Sequence, residues 1–173
     1  MQYINRFPSP LGEMILASDG ESLTGLWFLG QKHAPPLSTD PEPADLPVFA
    51  QARTWLAAYF QGKDPGPAPL LRPAGTPFQQ AVWQLLLGIP YGRTTTYKAL
   101  AGQLAGQRGL ESMSAQAVGG AVGRNPISIL IPCHRVMGSD GSLTGYAGGL
   151  DRKRALLELE GVFPLHPVSL KEF

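Results

Sequence analysis

The chain is poor in cysteine, in histidine and in charge. A single cysteine among 173 residues excludes an intramolecular disulfide and a multi-cysteine zinc site. Charged residues make up 16% of the chain and the net charge is +1, so the bulk balance gives no strong sign of a polyanionic partner. No apolar run approaches the roughly 20 residues needed to span a bilayer. Residues 1–16 interleave Arg6, Pro8 and Glu13 with apolar positions, which excludes a secretory signal core. Internal repeats are absent. These absences predict a soluble cytoplasmic protein that folds without an oxidising compartment.

Proline (17) and glycine (21) are abundant, and they cluster. Residues 2–7 and 13–18 read as short strands around the turn Pro8-Ser9-Pro10-Leu11-Gly12, and Asp19-Gly20 turns the chain into Leu23–Leu29. A small antiparallel meander follows from this, with a proline-rich loop over 34–47. From Leu46 to Gln61 the period becomes helical, with Val48, Ala52, Trp55, Leu56 and Tyr59 on one face. The Pro/Gly-rich stretch to Gly75 reads as a linker, dividing the chain into residues 1–75 and 76–173. The first part holds five Lys/Arg against seven Asp/Glu, a balance of −2, and the second nine against six, a balance of +3. That bias is compatible with nucleic-acid contact.

The second part opens with Thr76 as a cap and Pro77 at the first helical position. Helices are predicted from there to Ile89-Pro90-Tyr91-Gly92, from Thr94–Thr96 through Leu104, and from about Met113 to Val122. A helix over Leu150–Gly161 closes the pattern. Two helices joined by a short turn suggest helix-turn-helix. The helix near 115–123 contains Ala115, Ala117, Gly119, Gly120, Ala121 and Gly123. Each glycine costs a helix roughly 1 kcal/mol against alanine, so close approach to another surface is implied, either a packed helix or a DNA groove.

The chemistry concentrates in Pro132-Cys133-His134-Arg135-Val136. Cysteine is the strongest common nucleophile once ionised, and a neighbouring histidine oriented by a carboxylate raises the ionised fraction. His134 adjoins Cys133, and Glu160 lies in the last helix. On the residues alone, Cys133 is as readily a small buried hydrophobe, and Glu160 reads more simply as a solvated helix-end residue.

The chain resembles the O6-alkylguanine-DNA alkyltransferases, the methylated-DNA–protein-cysteine methyltransferase family. The segments that carry the resemblance are Gly75-Thr76-Pro77-Phe78-Gln79, Val82-Trp83, Ile89–Gly92, Thr96-Tyr97, Ala117-Val118-Gly119-Gly120, Asn125-Pro126, Ile131–Val136, Gly145-Tyr146-Ala147-Gly148-Gly149 and Glu160-Gly161. The resemblance implies an α/β fold of two small domains. The N-terminal one would be a ribonuclease H-like meander with a helix, and the C-terminal one a mainly helical, winged helix-turn-helix-like domain.

By that resemblance Cys133 is the alkyl acceptor, His134 a general base acting through water, and Glu160 the carboxylate that orients it. Tyr97 matches a tyrosine that helps rotate the nucleotide and hydrogen-bonds the flipped base; a half-buried core tyrosine is its other reading. Asn125 matches a hinge between the recognition helix and the active-site strand, or is a plain turn former. Val136, Tyr146 and Ala147 match the pocket wall. Ala117, Gly119 and Gly120 match the groove-facing helix. Arg135 is structural or phosphate-facing. The expected partner is double-stranded DNA carrying O6-alkylguanine, with O4-alkylthymine as a further substrate. The protein is expected to act as a monomer, without cofactor or metal, because the zinc ligands of some relatives are cysteines absent here and His33 and His166 lack suitable partners.

Two features depart from the family pattern. Gln116 stands where an intercalating arginine is usual, with Arg124 eight residues on, and residues 102–114 exceed the usual turn length. A lesion-binding sensor is the rival reading, although that branch has tryptophan in place of the cysteine. A cysteine hydrolase fits less well, since no oxyanion-hole motif is evident.

Overall fold

The structure is a computed structural model in which residues 2–37 and 41–163 are described. Strands β1 (Tyr3–Ser9), β2 (Gly12–Ser18), β3 (Leu23–Phe28) and β4 (Glu42–Pro43) form a sheet in the order β3-β2-β1-β4. The β1–β2 hairpin turns tightly because Gly12 takes φ +125°, and Ser9 Oγ donates to the Gly12 carbonyl at 2.6 Å. At the next turn the Asp19 carboxylate accepts from the amides of Glu21 and Ser22 at 3.0 and 2.8 Å. Within the proline-rich stretch read as loop, Glu42–Pro43 adds a short parallel strand beside β1. That edge position tolerates Pro43, which has no N–H to donate.

Helix α1 (Pro47–Phe60) lays Val48, Phe49, Ala52, Leu56 and Tyr59 on the sheet, adding Phe49 to the predicted face and leaving Trp55 half-buried. The linker after α1 is tied down. Leu23 donates to the Leu70 carbonyl and accepts from the Arg72 amide, both at 2.8 Å, beside β3. Farther along β3, Leu26 pairs with the chain around Ile127: its N–H reaches the Pro126 carbonyl at 2.9 Å, and Ser128 donates back at 2.8 Å. One apolar cluster therefore runs from Leu11 and Phe28 through Trp83 and Val118 to Ile131 and Leu156.

Helix α2 (Pro77–Leu87) starts with a full capping box between Thr76 and Gln79. The helix ends before the Ile89–Gly92 stop expected for it. Thr94–Thr96 is not helical. Thr95–Thr96 is β5, paired in parallel with β6 (Val136–Met137), and Thr96 caps α3 (Tyr97–Gln107) by accepting from the Ala99 amide at 3.0 Å. The β-branched run favours extended backbone, and its last hydroxyl serves as the cap. Ser114 caps α4 (Ala115–Gly123) in the same way. Trp83 Nε1 donates to the Ala121 carbonyl at 2.9 Å, which locks α2 to α4. Helix α5 (Leu150–Leu159) stops at Glu160, with Gly161 left-handed at φ +81° as its sequence position implied. Among the described residues no helix is long and apolar enough to cross a membrane.

Candidate active site

The apolar run Ile127–Ile131 is not a strand. It bridges to β3 at Ile127 and then winds through turns, with Ile129 at φ +69°, a strained conformation for a β-branched residue. Cys133–Arg135 follows as a single 3-10 turn. Asn125 holds this path. Its buried side chain donates to the Ile131 carbonyl at 2.8 Å and accepts from the Ile127 amide at 3.0 Å, and it lies near enough to Cys133 to favour the thiolate.

Cys133 is buried, and burial pushes its thiol pKa up. The polar Asn125 side chain, the charge of Lys153 and nearby backbone amides pull the other way. His134 is fully buried. Its Nε2 lies 2.6 Å from Glu160 Oε2, while its Nδ1 has no hydrogen-bond partner among the described residues. Burial lowers the imidazole pKa and the charges of Arg135 and Lys153 lower it further, against the opposing pull of Glu160.

Glu160 gathers donors. Burial alone would raise its pKa, but hydrogen bonds from His134, Arg135 and Tyr59 outweigh that and hold it at about 2. Tyr59 Oη donates to Oε2 at 2.6 Å, Arg135 Nε to Oε1 at 2.8 Å, and the Gly92 amide to Oε1 at 3.1 Å. An ionised carboxylate can only accept, so the proton shared with His134 belongs on Nε2 and Nδ1 is left bare as a base. Arg135 is buried against Glu160 and the Ile89 carbonyl, which settles its structural reading over the phosphate-facing one.

Beside this group lies an open cavity of about 470 Å³, lined by Tyr97, Gln116, Gly119, Tyr146 and Ala147, with Lys32 and His33 from the N-terminal part at its rim. Tyr97 is half-buried, and its hydroxyl donates to the carbonyls of Thr144 and Gly145 at 2.9 and 3.2 Å. Val136, expected in the pocket wall, is instead fully buried and does not line the cavity; its carbonyl accepts from Lys153 Nζ. On α4, Gln116, Ala117 and Gly120 are exposed. A Cβ at Gly119 would touch Tyr97 at 3.6 Å, whereas at Gly120 and Gly123 it would meet nothing within 4 Å. A contact of 3.6 Å is ordinary van der Waals distance, so packing within the chain requires none of these three glycines. Arg124 is exposed at the helix end and does not line the cavity.

Sequence reasoning missed three groups. Lys153 is a fully buried lysine near Cys133, its pKa lowered by burial to about 8. It had a signal, standing on the same stripe of α5 as Leu156 and Leu157. Tyr59 read as core, and nothing local placed its hydroxyl on Glu160. The Lys32–His33 turn reaches the cavity by donating the Lys32 amide to the Ala147 carbonyl at 3.2 Å. No group of three or more His, Cys, Asp or Glu able to hold a metal occurs among the described residues, and His166 lies outside them.

Comparison with known proteins agrees with this arrangement. The family model for the 6-O-methylguanine DNA methyltransferase DNA binding domain matches residues 77–162, and that for the ribonuclease-like domain of the same family matches residues 3–66. The chain belongs to the 6-O-methylguanine DNA methyltransferase family. Relatives named methylated-DNA–protein-cysteine methyltransferase include one from Haemophilus influenzae, 44% identical over 92% of this chain and 87% of its own. Another, from Mycobacterium leprae, is 47% identical over 92% and 93%. The crystal structure of Mycobacterium tuberculosis OGT in complex with DNA superposes with a TM-score of 0.83 at 43% identity, covering 98% of this chain and 99% of that one. The O6-methylguanine-DNA methyltransferase of Pyrococcus kodakaraensis superposes at 0.60 with 28% identity, over 94% and 100%. Membership of the 6-O-methylguanine DNA methyltransferase family bears out the resemblance read from the motifs and the mixed α/β fold it implied.

Proposed function

We propose that this protein repairs O6-alkylguanine in double-stranded DNA by moving the alkyl group onto its own Cys133, once per chain. The observation that carries this reading is a lone buried thiol held by Asn125 and flanked by a His134–Glu160 pair, beside a cavity that opens under the exposed small-residue face of α4.

The chemistry balances without a cofactor. The thiol proton passes to His134 Nδ1 through a water. Sγ attacks the alkyl carbon, the carbon–O6 bond breaks with its electron pair going to guanine, and guanine takes up a proton from water while His134 returns the thiol's proton to it. The product thioether is a poor leaving group, so the protein is consumed. Lys153 supports the thiolate by charge. O4-alkylthymine presents the same bond. A buried thiol cannot reach a stacked base edge, so the nucleotide must be extruded. Tyr97 and the backbone of 145–147 then bound the extruded base, while Gln116, Ala117 and Gly120 meet the groove and Arg124 the phosphates. Contacts of that kind are largely sequence-independent.

We place the division between the two units near residue 75 and regard the protein as a cytoplasmic monomer, the reducing compartment suiting a free nucleophilic thiol. The test is incubation with duplex DNA carrying O6-methylguanine, followed by intact-protein mass and peptide mapping. One methyl group per chain on the Cys133 peptide is expected. Repeated turnover, or transfer that survives Cys133→Ser, overturns the reading.

A further inference from the structure

Tyr59 sits on the sheet-packed face of α1, in the part of the chain that carries neither Cys133 nor α4. Its ring is fully buried and fixed by neighbours. It stacks on Trp55 at 5.4 Å and meets Phe60 and Tyr91 edge-on at 5.3 and 6.1 Å. That cage aims its hydroxyl at Glu160 Oε2 at 2.6 Å, the same oxygen that His134 Nε2 contacts at 2.6 Å. If ring packing were all that mattered at this position, phenylalanine would do. The hydroxyl adds a buried hydrogen bond to the carboxylate that controls the base.

We propose that Tyr59 is a positioning residue for alkyl transfer: its hydroxyl shares Glu160 Oε2 with His134 and so keeps His134 neutral, with the proton on Nε2 and Nδ1 bare. This rests on the function proposed above. Oε2 also accepts from Arg135 Nη2 at 3.1 Å, so the phenol is one of three donors on it, and each added donor leaves the others less charge. Without the phenol, Oε2 would bind the His134 proton more strongly and favour imidazolium, which cannot accept the thiol proton. The other titratable groups around this pair are Cys133 and Arg135 on the same turn, Lys153 on α5, Tyr91 on the loop after α2, and Tyr146 before α5. Tyr59→Phe leaves all of them in place. The N-terminal part thereby acts on the reaction through one hydrogen bond.

The test uses the full chain and two readouts. The first is the rate of dealkylation of free O6-benzylguanine against pH, which needs no DNA and no base flipping. In Tyr59→Phe the acid limb should move up by roughly half to one pH unit, the equivalent of one hydrogen bond's differential effect. On that limb the reaction slows roughly three- to tenfold, and the alkaline plateau is retained. The second readout is the NMR titration of the His134 ring, which should move in the same direction. Site-specific 3-fluorotyrosine at position 59 keeps the ring and makes a stronger donor, so its acid limb should move down. A rate loss equal at every pH, with an unmoved His134 titration, overturns the inference and leaves Tyr59 a packing residue. If the wild-type protein transfers no methyl group from duplex O6-methylguanine, the proposed function fails, and the NMR titration still decides the role of Tyr59.

Discussion

Replacing Glu160 with glutamine tests the electrostatics of the site through stability rather than activity. The carboxylate has no exposed surface and is held at about 2 against an ordinary 4.5. A group whose folded-state pKa is depressed contributes stability that is present above its unfolded pKa and lost as pH falls through the folded one. Each pKa unit corresponds to about 1.4 kcal/mol, so the ionised carboxylate contributes about 3 kcal/mol at pH 7. Of this, about 1 kcal/mol survives at pH 3, midway through the window. Glu160→Gln keeps the shape, removes the titration and leaves Arg135 with an uncompensated buried charge. Urea denaturation of both proteins at pH 7 and pH 3 should find the variant less stable at pH 7, with the gap narrowing by about 2 kcal/mol at pH 3. A gap of the same size at both pH values would refute the assignment of Glu160 as the ionised hub and reduce it to a shape-filling residue.

Three other substitutions probe neighbouring features. Lys153→Met removes a cation whose charge favours the Cys133 thiolate, so the thiol should titrate higher and react roughly tenfold more slowly at pH 7, a change of about 1.4 kcal/mol, read by pH-dependent thiol alkylation. Asn125→Ala frees the Ile131 carbonyl and the Ile127 amide, and should cost about 2 kcal/mol in denaturant unfolding and slow transfer to any substrate. Gln116→Arg adds a cation to an exposed α4 position at the cavity, so duplex binding should tighten and gain salt dependence of about one phosphate contact while the free-base rate stays unchanged. A parallel rise in the free-base rate would instead mean that residue 116 acts on the base in the cavity rather than on duplex binding.

Local signals made most of this fold legible. Thr76-Pro77, Thr96 and Gly161 mark helix ends through side-chain caps and a left-handed turn, and each lies within a few residues of the structure that formed. The misread stretches are those whose conformation is decided at a distance. Thr95–Thr96 becomes a strand because Val136–Met137 lies beside it, and Glu42–Pro43 pairs with β1 across the meander. The site followed the same rule. Cys133, His134 and Glu160 were visible as motif residues. The donors converging on Glu160 come from α1, from the loop at Gly92 and from the Cys133 turn itself, a meeting that no spacing in the chain encodes.

The pairing along β3 has a consequence for how the molecule holds together. An outer strand with bare amides and carbonyls invites pairing with another chain. Here Leu23 is covered by the 70–72 segment and Leu26 by the 126–128 segment. The second cover also begins the path that delivers Cys133. Cleaving the chain between its halves would leave that strand half dressed and the nucleophile's approach unanchored. Solubility of the sheet and placement of the thiol thus depend on the same few backbone hydrogen bonds, and the two halves should melt in a single transition.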